Sequence, residues 1–167
     1  EKLLKYARQH GVLCCMDTAW DASGKWMETI GTALPYLDWF MPSYEEAVHL
    51  TGRKSAADIA GALIAKGVKN VIIKLDASGC YLKAANEPGE IIPAFDKITA
   101  VDSSGAGDSF CAGFLAGLSQ GWNLYRCAQF ANAVGAHCVR QIGTTAGIRP
   151  MNEILDFIKE YETNKVY

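Results

Sequence analysis

The sequence predicts an α/β fold on a largely parallel sheet with helices on both faces, and three observations carry that expectation. Short apolar runs that read as buried strands alternate with helix-periodic stretches as far as Leu75. Two of the helical stretches open on an N-cap signature, Ser43 with Glu46 and Ser55 with Asp58. The last third of the chain holds three further helical stretches, Ala106 to Leu118, Leu124 to Val139 and Asn152 to Tyr161.

Taken in order, Leu3, Leu4 and Ala7 give Lys2 to Gln9 an amphipathic spacing, which His10-Gly11 stops. "VLCCMD" then reads as a buried strand ending at Asp17. A polar, Trp-bearing stretch (Ala19 to Lys25) precedes the apolar segment Ile30 to Leu37, and "WFMP" reads as a second short strand. In the helix that follows, the Ser43 hydroxyl is placed to accept from the Glu46 amide while Glu46 reaches back, and Thr51-Gly52 closes the segment. The helix after Ser55 carries Ile59, Leu63 and Ile64 and stops at Gly67. Val71 to Leu75 is a strand core. Gly79 turns the chain into "CYLKA", and Glu87 to Glu90 turn it into "IIPAF", which predicts an antiparallel hairpin in the middle of the chain.

Composition narrows the function classes. At 167 residues, half of them hydrophobic, one domain spanning 1–167 is expected. Sixteen basic and 18 acidic residues give a net charge of −2 with no block of like charge, so the pattern of a nucleic-acid or anionic-membrane binder is missing. A small ligand is the expected partner. The six cysteines form no C-x-x-C and sit in apolar runs, as reduced, buried cysteines of a cytoplasmic protein do. His10, His49 and His137 lie far apart, which argues against a metal held by imidazoles. No apolar run reaches the length of a membrane span, and the chain opens in mid-helix without methionine or signal peptide, so a truncated start is expected.

The chemistry concentrates in "VDSSGAGDSF", residues 101 to 110. Gly105 and Gly107 strip side chains from a backbone that then enters a helix near Ala106, leaving first-turn amides that favour an anion. Asp108 in that first turn opposes a bound anion. The conflict resolves if the anion is a phosphoryl group in transfer and Asp108 accepts the proton of the attacking hydroxyl. The other reading makes Asp108 a dipole-favoured first-turn residue, and spacing alone leaves both open. No Walker loop is present, and Phe110 stands where a dinucleotide fingerprint needs its third glycine. Gly113, Gly117 and Gly121 read as close helix packing.

The stretch from Asp102 through Ser104, Gly105, Ala106, Gly107 and Asp108 to Phe114 resembles the C-terminal signature of the ribokinase, or PfkB-type, family of carbohydrate kinases, D-[ST]-x-G-A-G-D-x-F-x-A-G-F. That resemblance implies a three-layer ribokinase-like fold and ATP-dependent phosphorylation of a hydroxyl on a sugar or sugar-like alcohol. It makes Asp108 the general base and Gly105, Ala106, Gly107 and Asp108 an anion hole. "DWFMPSYEEAVHLTG" is similar to the family's P-N-x-x-E-A and L-x-G segment, which positions magnesium and phosphate through water; Glu46 takes the glutamate's place and Ser43 the asparagine's. As residues, Ser43 and Glu46 serve equally as a capping box. "VIIKLDASGCYL" resembles the nucleotide-approaching V-x-T-x-G-x-x-G, with Gly79 at the second glycine and Lys74 and Asp76 at the threonine and first glycine. "FANAVGAHCVRQIGTTAG" is similar to the adenine-side helix and loop, with Asn132 in the adenine pocket and Gly143 ending the loop. Asp102, Ser104, Cys138 and Gly143 fall where many members hold a monovalent cation, so K+ is expected beside ATP and Mg2+. Asp102 equally reads as a turn residue before the helix.

The resemblance maps to the family's C-terminal half. The N-terminal part and lid have no counterpart here, so the chain is expected to be the nucleotide-binding portion of a longer kinase, weak or inactive alone and prone to homo-oligomerise. Two other classes stand beside it. One is a nucleotide-binding or regulatory module without transfer activity. The other is a vitamin-precursor kinase of the same fold, whose helix start usually reads G-T-G-D or G-T-G-C where this chain has Ala106.

Overall fold

The computed structural model describes residues 1–164. In chain order the elements are α1 (Lys2–Gln9), β1 (Cys15–Met16), α2 (Met27–Ile30), β2 (Trp39–Phe40), α3 (Tyr44–Thr51), α4 (Ala56–Ala65), β3 (Asn70–Lys74), β4 (Cys80–Lys83), β5 (Glu90–Ile92), α5 (Ala106–Ser119), α6 (Leu124–Cys138) and α7 (Met151–Asn164). Single 3-10 turns lie at Leu34–Tyr36 and Asp76–Ser78. The chain divides into two compact units, Glu1–Leu75 with Tyr81–Ile91, and Asp76–Cys80 with the chain from Ile92 onward.

The first unit is built on the sheet, whose order is β1-β2-β3-β4-β5. β1, β2 and β3 are parallel, with Cys15 opposite Trp39 and Trp39 opposite Asn70. The connections from β3 to β4 and from β4 to β5 are too short for a parallel crossover, so the sheet ends in the antiparallel hairpins that the turn signals predict. Leu34, Leu37, Phe40, Ile59, Leu63 and Val71 form the centre of its core. Near-continuous burial of β3, against half-burial of β4, marks the centre and flank of the sheet. Asn70 is the buried polar exception. Its amide nitrogen donates to the Asp38 carbonyl (2.8 Å) and its oxygen accepts from the Ala85 amide (2.8 Å). The strand expected over "VLCCMD" contracts to Cys15–Met16, and the Ile30 to Leu37 segment is the end of α2 plus a 3-10 turn in which Pro35 fixes the backbone.

The second unit is helical. α5 and α6, joined by a short connection, approach closely where glycines remove side chains. A Cβ at Gly113 would lie 2.9 Å from Val134 Cγ2, and one at Gly117 would lie 3.0 Å from the Cys127 Cα. Gly121 does not share that role, since nothing stands within 4 Å of its Cβ position; it sits just past the end of α5 and stops it. Phe95, Phe130, Ala133, Val134, Ile154 and Ile158 form this unit's core. No helix among the described residues is long and apolar enough to cross a membrane.

Candidate functional site

Parallel, in-register strands bring their C-terminal ends to one edge, where α/β proteins place ligands. In the first unit those ends carry Asp17 after β1, Ser43 and Glu46 after β2, and Lys74 at the end of β3. Ser43 and Lys74 form a parallel bridge, with the Lys74 amide donating to the Pro42 carbonyl at 3.0 Å. The Lys74 ammonium donates to both Asp17 carboxylate oxygens, at 2.7 and 2.6 Å, in a part-buried ion pair. Asp17 Oδ1 also accepts from the Thr18 amide (2.7 Å), and the Thr18 hydroxyl donates to Glu46 Oε2 (2.8 Å). That oxygen accepts from the Ser43 amide as well (3.0 Å), while Ser43 Oγ accepts from the Glu46 amide (3.4 Å). These bonds join Lys74, Asp17, Thr18, Glu46 and Ser43 into a ring that closes through the Pro42 carbonyl met by the Lys74 amide.

The capping box expected at Ser43 and Glu46 is present in full. Glu46 is only 8 % exposed, which is unusual for a carboxylate on a first helical turn. Its chemistry fits magnesium, a hard cation that typically takes one or two carboxylates and completes its shell with water and phosphate oxygens. No group of three or more His, Cys, Asp or Glu among the described residues could cage a metal alone. Beside the ring, Asp17, Thr18, Asp21, Trp26 and Thr29 line a cavity of about 260 Å³. The Asp21 carboxylate accepts from the Ser23 and Trp26 amides and holds its own side of that cavity in shape. The Ser23 hydroxyl foremost, and then the Trp26 and Ser23 amides, hold the Asp21 carboxyl below its usual range. Trp26 carries φ of 36° and stacks on His49, with ring centroids 4.9 Å apart.

In the second unit the glycine-rich junction forms as its composition predicts. Gly105 is the N-cap of α5 in the left-handed region (φ 75°), and a Cβ there would lie 2.4 Å from the Thr144 carbonyl oxygen. Ala106, Gly107 and Asp108 make the first turn; the Ala106 amide donates to the Ser103 carbonyl at 3.2 Å, and those of Gly107 and Asp108 lack intrahelical acceptors. Asp108 is exposed, and no hydrogen bond or ion pair engages its carboxylate among the described residues. Asp102 is engaged. Its oxygens accept from the Gly143 and Ser104 amides, both at 2.9 Å, and these bonds, Gly143's foremost, hold its carboxyl below the usual range. The buried Cys138 thiol lies 3.6 Å from the Ser104 carbonyl and 3.2 Å from that of Thr144. Asp102, Ser104, Gly143 and Cys138 thus come together, and their carboxylate and carbonyl oxygens suit a monovalent cation.

Gly79 has φ of 97°, and a Cβ would meet the Ile92 carbonyl at 2.1 Å, so this turn admits glycine alone. Asp76 takes φ of 50°, a conformation aspartate tolerates better than most residues. Asn132 is buried, and its amide nitrogen donates to the carbonyls of Ile92 and Pro93, both at 3.1 Å. Two residues of these clusters escaped the sequence reading. Thr18 follows a strand-end aspartate, the only signal it gives; Thr144 is marked solely by its place after Gly143.

Comparison with known proteins agrees with the signature at α5. The 2-dehydro-3-deoxygluconokinase of Bacillus subtilis is 31 % identical over 145 residues, 86 % of this chain and 44 % of that protein. Arabidopsis thaliana ribokinase, in a crystal structure with ribose and ATP, is 26 % identical with a TM-score of 0.83, covering 95 % of this chain and 51 % of that one. An E. coli protein described as a ribokinase II, in complex with ATP and Mg2+, gives the same identity and TM-score, covering 95 % of this chain and 52 % of that one. The chain spans about half the length of these relatives. The ribokinase-like, mostly parallel α/β fold is shared with them. The profile of the pfkB family of carbohydrate kinases matches residues 1–151, and the chain belongs to that family.

Proposed function

We propose that this chain carries the nucleotide-handling part of an ATP-dependent kinase that phosphorylates a hydroxyl of a sugar or sugar-like alcohol. The observation that carries the reading is the start of α5, where an exposed, unengaged Asp108 carboxylate stands on the same turn as the Gly107 and Asp108 amides, which lack intrahelical acceptors. Asp108 takes the proton of the attacking hydroxyl as its oxygen bonds to the γ-phosphorus of ATP and the bond from that phosphorus to the bridging oxygen breaks, releasing ADP. The amides of Gly105 to Asp108 neutralise charge that grows on the transferring phosphoryl group, aided by the positive end of the helix dipole.

Glu46, with Ser43, would hold magnesium through water, and the metal would supply positive charge against the phosphates. Lys74 supplies a positive charge at the phosphate side, and Asp76 and Gly79 shape the turn that follows it in the chain. Gly143 and Asn132 belong to the adenine side, where Asn132 acts by holding the Ile92–Pro93 backbone in place. Asp102 and Ser104, with Cys138 and Gly143, would seat K+ and so fix the loop that meets the α5 N-cap.

The test is ADP release by the chain with Mg-ATP and K+ over a panel of ketoses, pentoses and nucleosides, with Asp108→Asn alongside. For this chain alone the expected release is weak or none, and in the intact enzyme Asp108→Asn is expected to lower sugar-dependent release by roughly 10²- to 10⁴-fold with little change in ATP affinity. Near-wild-type release by Asp108→Asn would sink the base assignment. Absence of ATP binding would sink the kinase reading itself.

A further inference from the structure

The bonded ring at the strand ends contains an arrangement the kinase reading does not by itself require. Lys74 and Glu46 carry opposite charges at neighbouring strand ends, Lys74 bridged to Ser43 and Glu46 bonded to the Ser43 amide. An ammonium and a carboxylate so placed attract one another, and a direct pair between them would cancel both. The chain instead gives each its own partner. The ammonium is gripped by both oxygens of Asp17, and the carboxylate by the Thr18 hydroxyl. Thr18 is the hinge of the arrangement, because its amide orients Asp17 while its hydroxyl orients Glu46.

We propose that Asp17 and Thr18 are positioning residues that hold Lys74 and Glu46 apart, so that a metal-bound nucleotide meets a fixed ammonium for its phosphate oxygens and a fixed carboxylate for its metal. This rests on the reading of the site as a Mg-ATP site. Asp17 and Thr18 act through Lys74 and Glu46. Losing either lets the ammonium and the carboxylate close on each other or turn away, and the signature is a weaker contribution of magnesium to nucleotide binding.

Calorimetric titration of the chain with ATP, in Mg2+ and in EDTA, tests this with wild type, Thr18→Val, Thr18→Ser and Asp17→Asn, each checked by thermal melting. Thr18→Val keeps the shape and removes only the hydroxyl. It is expected to cut the magnesium-dependent gain in affinity by roughly 10- to 100-fold, the usual loss when a residue supporting a metal ligand is removed, while affinity in EDTA changes little. Thr18→Ser restores the gain, and Asp17→Asn shows the same loss. If Asp17→Asn does not fold, the threonine pair decides alone. A magnesium-dependent gain that survives Thr18→Val overturns the proposal, as does a loss equal in Mg2+ and EDTA, which marks a structural role only. Wild-type protein that binds no ATP in either condition overturns the Mg-ATP reading, and this inference with it.

Discussion

Replacing Gly105 by alanine adds one methyl group at the N-cap of α5, and the structure gives both parts of its cost. The backbone there sits at φ of 75°, where an L side chain is disfavoured by about 1–2 kcal/mol. The new Cβ would stand 2.4 Å from the Thr144 carbonyl oxygen and 2.8 Å from its Cβ, so the loop carrying Thr144 must shift. Overpacking of this kind costs about 1–3 kcal/mol. The sum is about 2–5 kcal/mol of lost stability. Gly61→Ala is the matched control. That residue lies within α4, exposed, with nothing within 4 Å of its Cβ position, so the same substitution should stabilise by about 0.5–1 kcal/mol through helix propensity. Urea unfolding measures both. With m-values of about 1–3 kcal/mol/M the midpoints should move in opposite directions, Gly105→Ala downward by an amount on the order of 1 M or more. Gly105→Ala within about 0.5 kcal/mol of wild type would refute the close approach to Thr144, and with it the tight junction on which the proposed anion hole rests.

Other expectations follow from single contacts. Ser43→Ala removes the hydroxyl of the capping box and should cost about 0.5–2 kcal/mol, whereas Ser43→Asn, which caps equally well, should leave the urea midpoint near wild type. Gly113→Leu drives a side chain against Val134 and the Ala131 backbone and should lower stability by about 1–3 kcal/mol; an unchanged thermal midpoint would mean that α5 and α6 are not packed as described. Burial, seconded by Arg140 and Arg149 and opposed by Glu153, holds the His137 imidazole below its ordinary range, and its buried Nε2 has no hydrogen-bond partner. The unfolded chain then binds the proton more readily, so this contribution to stability is present above about pH 6.5 and is lost as pH falls through the folded-state value. His137→Phe, beside Phe157, should flatten that acid-side decline in a series of melts; an unaltered slope would assign the decline to other groups.

What could be read from the chain was local in sequence. The Ser43–Glu46 box spans four residues, and the structure contains both of its bonds. The helix after Gly105 begins at Ala106 because glycine, small residues and a first-turn aspartate are all written next to one another. What stayed hidden depends on long-range pairing. Asp17 meets Lys74 across 57 positions and Thr18 meets Glu46 across 28, and nothing in either short stretch names its partner. Gly121 shows the opposite failure, in which a regular four-residue spacing suggested packing although the helix had already ended. Trp26 could not be foreseen at positive φ, since that conformation is imposed by the Asp21 turn rather than by a permissive residue.

Two departures from the family's written pattern lie side by side in the ring. Lys74 stands where the pattern has threonine and Ser43 where it has asparagine, and these two residues face each other across a parallel bridge. Exchanging a hydroxyl for an ammonium brings a part-buried charge to the end of β3, and such a charge is stable only when paired. Asp17, at the end of β1, supplies the pair with both oxygens. Asparagine and serine both cap helices, so the change at Ser43 preserves the start of α3, while the shorter side chain leaves Glu46 to be fixed by the Thr18 hydroxyl and the Ser43 amide. Lys74 carries the charge of this arrangement and Asp17 the counter-charge, while Thr18, unmarked in the sequence, joins Asp17 to Glu46 through its amide and its hydroxyl.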